Sequence, residues 1–172
     1  MRLLFSVDLQ DYATCTRTYR RDSARGIILR QGRVAMMHSL RDGYYKFPGG
    51  GIEKGESPVD AMRREVREEA GLVVLPQSVQ EYGVVHRIQR SPGDPEEIFV
   101  QDNFYYIGCA EDTALDPQLE DYEAEAGFTM EWVEARQVIR SNRESAPNSR
   151  YQVMLLREAR VLEMLIEEGI IP

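Results

Sequence analysis

Glu65, Glu68 and Glu69 stand at positions i, i+3 and i+4 of one short segment, "FPGGGIEKGESPVDAMRREVREEAGL", residues 47–72. On a helix this spacing sends all three carboxylates to the same side. Like charges so placed repel by a few tenths of a kcal/mol per pair, and solvated helices usually relieve this with Lys or Arg at i+4. Here Arg64 and Arg67 lie at the edges, with no cation between the glutamates. A hard divalent cation would resolve the repulsion, since Mg²⁺ takes oxygen ligands and keeps several waters. The glycines Gly49, Gly50 and Gly51 allow close approach of backbone, and a glycine carbonyl supplies a further oxygen. Glu56, ahead of the helix, can reach the same site or Arg64. Substrate phosphates complete a centre of this kind, and a water activated by the cation is its nucleophile. A plain solvated helix face is the alternative reading.

The surrounding pattern says what must hold these groups. Ser57 is a good N-cap, Pro58 suits the first helical position, and Asp60 completes a capping-box pattern. Gly71 can take the left-handed conformation that ends a helix, so a helix is predicted over about 58–70. Val59, Met62 and Val66 form its buried face. Before it, "ARGIILRQGRVAMMHS" reads as two strands around a turn at Gln31-Gly32. After it come strands at about 79–90 and 97–109, joined by "SPGDPE". An acidic loop, "LEDYEAEAG", precedes a strand "FTMEWV" and a short helix "EARQVIRS". Ser149 and Gln152 look like a second capping box, opening a helix to about residue 167. Its apolar face is Leu155, Leu162 and Ile166, widened by Val153, Leu156 and Leu165. At the N-terminus Leu3, Phe5, Val7 and Leu9 alternate as in a strand, and Tyr12 to Tyr19 could pair back on it as a hairpin. Strands interleaved with helices, with no repeat and no long linker, indicate a layered α/β or α+β domain.

The order Gly50, five residues, Glu56, seven residues, Arg64-Glu65-Val66, one residue, Glu68-Glu69, one residue, Gly71-Leu72 resembles the Nudix box at every specified position. The resemblance rests directly on 26 residues, and the flanking order of elements extends it to about 24–168. It implies a Nudix-type α/β/α sandwich with a mixed β-sheet over residues 24–172, with 1–23 as an N-terminal extension. That extension either widens the sheet or pairs with a second copy, giving a homodimer. The resemblance also implies Mg²⁺- or Mn²⁺-dependent hydrolysis of a pyrophosphate bond in a nucleoside diphosphate linked to a group X. Carried over by motif position, Glu68 and Glu69 are metal ligands, the Gly49 carbonyl another, and Glu65 a ligand or the general base. Arg64 pins the helix glutamates, and Glu56 receives it. Relatives often draw one more carboxylate from a loop before a Trp-containing strand, which here points to Glu123 or Glu125.

Other residues carry weaker signals. Tyr44 and Tyr45, just before "KFPGG", could stack on a base or be packing residues. His38 and His86 have no partner pattern and read as structural. The chain carries 29 Asp and Glu against 21 Lys and Arg, a formal net charge of -8. Global attraction to nucleic acid or an anionic membrane is therefore not expected, and an anion site would need a local device. Cys15 and Cys109 are too few and too isolated for a disulfide framework or a zinc site. With no apolar run of membrane length, the reading is a soluble cytoplasmic protein acting on a small nucleotide. Within that class the lean is to nucleoside triphosphates, including oxidised ones, over nucleotide sugars or ADP-ribose. A Nudix-like sensor that binds a nucleotide without cleaving it is the competing function. Such proteins commonly lose box glutamates, and this chain keeps them all.

Overall fold

The computed structural model describes residues 1–112, 115–119 and 124–172. Its strands are β1 (Leu3–Asp8), β2 (Arg17–Arg20), β3 (Ser23–Arg30), β4 (Arg33–Ser39), β5 (Tyr44–Lys46), β6 (Gly49–Gly51), β7 (Gln80–Ser91), β8 (Asp94–Gly108) and β9 (Phe128–Val133). The helices used below are α1 (Pro58–Ala70), α2 (Ala135–Ser145) and α3 (Gln152–Glu167). The strands join in one mixed sheet in the order β1-β7-β8-β3-β4-β5, with β2 on β8, β6 on β3 and β9 on β4.

Alternation along the strands assigns each side chain to a face. Ala24 and Ile28 of β3, with Ala35 and Met37 of β4, pack with Ala61, Met62 and Val66 of α1. Ile27, Val34 and Met36 pack the other way, against Val138 of α2 and Val161, Leu162 and Leu165 of α3. The result is the expected sandwich, with helices on both faces of the sheet. Among the described residues no helix is long and apolar enough to cross a membrane.

At Gly26 the sheet and α1 approach closely: a Cβ there would sit 2.5 Å from Val66 Cγ2. Gly26→Ala is therefore expected to destabilise by about 1–3 kcal/mol through overpacking, measured as a lower urea midpoint. Recovery in Gly26→Ala with Val66→Ala would tie the loss to that contact.

Several local expectations hold in detail. Ser57 caps α1 by accepting from the Asp60 N–H, and Gly71 ends it with φ 66°, its N–H donating to the Arg67 carbonyl. The β3–β4 turn places Gln31 and Gly32 at φ 50° and 74°, the pair of positive angles a tight hairpin turn demands. Two expectations need correction. The N-terminal strands do not form a hairpin: β1 runs parallel to β7, and β2 parallel to β8. β7 and β8 form a long hairpin whose exposed ladder groups take β1 on one strand and β2 on the other. Nor does Ser149 open the last helix, which starts at Gln152 after Tyr151. The Ser149 Oγ instead accepts from the Tyr151 N–H at 3.0 Å, two residues ahead of the cap position.

Leu155, Leu162 and Leu165 are fully buried on α3 as its pattern suggests, but Leu156 does not share that face. Leu156 is 42% exposed, while Arg157 and Glu158 are buried at 2% and 0%. Arg157 donates to Glu158 Oε1 and to Asn103 Oδ1, and Ser23 Oγ donates to that same amide oxygen. This buried network fastens α3 to the strands that carry the cleft described next.

Candidate active site

The box residues come together at the junction of β5, β6 and α1, each positioned by a separate local cause. Gly49 has φ 144° and pairs with Arg25 on β3; a Cβ there would lie 2.2 Å from the Ala24 carbonyl oxygen. Gly50 faces α1, where a Cβ would sit 2.4 Å from the Glu65 carboxylate. The missing side chains thus bring backbone directly against a carboxylate.

Arg64 is the hub of the charges. It donates to both Glu56 oxygens at 2.9 and 3.0 Å, to Glu65 Oε1 at 2.8 Å, to Glu68 Oε2 at 3.2 Å and to the Gly51 carbonyl at 3.1 Å. The carboxylate repulsion read from the spacing is accordingly relieved from within: one guanidinium nitrogen lies between Glu65 and Glu68. Glu69 turns further inward than the other two. It is 4% exposed, accepting from Lys46 Nζ at 2.8 Å and from the Gly49 N–H at 3.0 Å. Glu68 remains the most open, with 38% of its side chain exposed. Among the described residues no three acidic, His or Cys side chains converge as a ready-made metal cluster.

The local fields follow from these partners. Burial holds the Glu65 carboxyl above its ordinary value, an effect the Arg64 guanidinium offsets only in part. The two Arg64 bonds hold Glu56 below the usual carboxylate range. A carboxyl depressed in the folded state adds stability above its unfolded pKa and loses it as pH falls through the folded one. Glu56→Gln is thus expected to lower Tm at neutral pH, with the gap to the parent closing as the carboxylate range is crossed downwards. A gap independent of pH would show that this ion pair contributes nothing.

Beside the glycines opens a cleft of about 430 Å³. Among the described residues its lining includes five cations, Arg21, Arg25, Arg41, Lys46 and Arg150, and one carboxylate, Glu125. This is the local device that an acidic chain needs in order to hold an anion. Lys46 links the cleft to α1 through Glu69, and Arg25 donates to the Gly49 and Phe47 carbonyls. Neither was singled out from sequence, although Lys46 directly precedes "FPGGG". A lone Arg on a strand gives no such signal.

The other predicted residues divide. Tyr44 is buried at 4% and lines the cleft, its ring edge-on to Phe128. Tyr45 is turned to the opposite face of the sheet, stacked on His38 with ring centroids 4.2 Å apart. Successive strand residues point to opposite faces, so the adjacent pair could not both reach one base. His38 and His86 hold Glu131 and Asp102 at 2.8 and 2.7 Å. Glu123 lies outside the described residues.

A mixed sheet between helices, with a glycine strand backed by glutamates on one helix, defines a fold and site of one kind. The chain belongs to the Nudix family: the family model for the NUDIX domain matches residues 20–156. It is similar to an RNA pyrophosphohydrolase of Acinetobacter baylyi, 40% identical over 81 residues, 41% of this chain and 48% of that protein. It also resembles an RNA pyrophosphohydrolase of Psychrobacter cryohalolentis, 49% identical over 49 residues, 27% of this chain and 28% of the relative. The match thus spans less than half the length of either relative. Among solved structures, a NUDIX hydrolase from Nitrosomonas europaea aligns at TM-score 0.57 and 18% identity, covering 83% of this chain and 90% of that one. A MutT NUDIX hydrolase from Burkholderia pseudomallei aligns at 0.52 and 20%, covering 69% and 85%. Both likenesses concern the fold.

Proposed function

We propose that this protein hydrolyses a pyrophosphate bond in a nucleoside diphosphate linked to a further group X, using Mg²⁺ or Mn²⁺. The observation that carries the reading is the cation-lined cleft on one side of a glycine strand whose other side meets Glu65. Glu65, Glu68, Glu69 and the Gly49 carbonyl would hold the metal, with Glu125 reaching in from the far wall. The donor chemistry fits: all are oxygens, and a positively charged nitrogen already bridges Glu65 and Glu68. When bound, the metal supplies charge neutralisation for the phosphates and acidifies water.

The chain's own groups do the remaining work. Arg64 holds Glu65 and Glu68 side by side and ties them to Glu56. Glu65, on a rigid helix, is the group placed to accept a proton from the attacking water. Arg21, Arg25 and Lys46 line the phosphate path, and Lys46 and Arg25 also fix Glu69 and the Gly49 carbonyl.

For substrate, the reading is a free nucleotide of small size, with nucleoside triphosphates ahead of nucleotide sugars and ADP-ribose. A second reading is a 5′-triphosphorylated RNA end. It is favoured by the five clustered cations, which net charge alone concealed, and by the names of the curated relatives. A phosphate-release panel with Mg²⁺ or Mn²⁺ separates them: normal and oxidised nucleoside triphosphates, ADP-ribose, nucleotide sugars, dinucleoside polyphosphates and triphosphorylated RNA. The highest kcat/KM is expected on a nucleoside triphosphate. The highest value on RNA would establish the second reading. Nucleotide binding with no turnover of anything would make the protein a sensor.

A further inference from the structure

We infer that the nucleobase is received by an aromatic platform of Tyr19 and Phe99, so that the strand just ahead of the family match completes the substrate site. The inference rests on the nucleotide-hydrolase reading above and names the base subsite within it.

Strand β2 runs parallel to β8 with Tyr19 opposite Phe99. The two rings share a sheet face, with centroids 6.2 Å apart and planes tilted by 45°. Both line the cleft that contains Arg21, Arg25 and the glycines. Tyr19, Arg21, Ser23 and Arg25 alternate along the chain and all line it, so an aromatic surface leads directly into the cationic stretch. A ligand with a flat π-face at one end and phosphates at the other matches that order.

The other aromatic groups are less suited. Tyr44 is closed in by Phe128 and Tyr151, and Tyr45 lies on the opposite face. The Arg150 guanidinium covers Tyr151, 4.7 Å from the ring centroid. Tyr19, by contrast, is 45% exposed. Phe99 is braced by Arg87, whose guanidinium lies 5.3 Å from its ring centroid and is itself held by Gln89 Oε1 at 2.8 and 2.9 Å. Both rings line the cleft, and Tyr19 is the more open of the two. The rings are too close for a base to slide between them, so the base stacks on the outer surface. Stacking of this sort is tolerant of base identity.

The test is calorimetric binding, with Mg²⁺ present, of a non-hydrolysable adenosine triphosphate analogue and of inorganic tripolyphosphate. Tyr19→Ala is expected to weaken the nucleotide by about fivefold or more while leaving tripolyphosphate unchanged. Tyr19→Phe is expected to restore the affinity, because stacking needs the ring and not the hydroxyl. Unchanged nucleotide affinity in Tyr19→Ala, with triphosphate turnover intact, would overturn the platform and leave the hydrolase reading standing. Equal weakening of both ligands would overturn it too, by showing an effect on the cleft as a whole. Binding of neither ligand by the parent protein would remove the hydrolase reading, and the platform with it.

Discussion

Glu68→Gln is expected to lower kcat by about 10²-fold or more with little change in Tm, whereas Glu69→Gln is expected to lose both activity and stability. The two residues are neighbours in sequence, and their spacing from Glu65 reads alike. Their surroundings separate them. Glu68 has 38% of its side chain exposed and bonds Arg64 at 3.2 Å, so removing its charge strips a metal donor at small cost to the fold. Glu69 and Lys46 form an ion pair at 2.8 Å with side chains only 4% and 8% exposed. Neutralising Glu69 weakens two buried charge-assisted bonds, from Lys46 Nζ and from the Gly49 N–H, at a cost of about 3 kcal/mol. For a chain of this size that lowers Tm by on the order of 10 °C. Near-normal turnover in Glu68→Gln and Glu69→Gln would remove the metal-site proposal.

Glu65→Gln is expected to cost at least about 10²-fold in kcat, and Glu125→Gln much less. The Glu65 side chain is 15% exposed and fixed by Arg64 at 2.8 Å, on a helix packed against the sheet. Such a group keeps its geometry whether or not substrate is present. Glu125 lines the far wall of the cleft and is exposed. A base must lie within hydrogen-bond reach of the attacking water, directly or through one more water. Single-turnover rates would show which carboxylate the chemical step needs. The opposite ranking of the two variants would move the base to the loop.

The helix that carries these groups was legible because its signals are local. Ser57, Pro58 and Gly71 act on backbone within a few residues, and Val59, Met62 and Val66 repeat at helical spacing. The Arg64–Glu56 link was legible for the same reason, its partners lying within one loop and two turns of helix. The longer strands were legible from alternation and the β3–β4 hairpin from its Gln-Gly turn, whereas the three-residue β5 and β6 were not. Strand partners were not. The N-terminal strands pair with β7 and β8, some 80 residues away, and nothing local distinguishes that edge from a hairpin.

By itself the sequence determined the order of the elements, the carboxylate helix and the glycine approach to it, since each depends on neighbours in the chain. Only the tertiary structure decided how the three glutamates differ: Arg64 sits between two of them, and Lys46 draws the third into the interior. It also decided that Tyr44 faces the cleft while Tyr45 faces away, and that Arg157 and Glu158 are buried where a helical-face reading put Leu156. Most of all, it decided the charge of the cleft. A net charge of -8 is a sum over the chain, whereas an anion responds to the cations within a Debye length of it. Folding brings Arg21, Arg25, Arg41, Lys46 and Arg150 to one opening from separate parts of the chain, where they outnumber the carboxylates among the described lining residues.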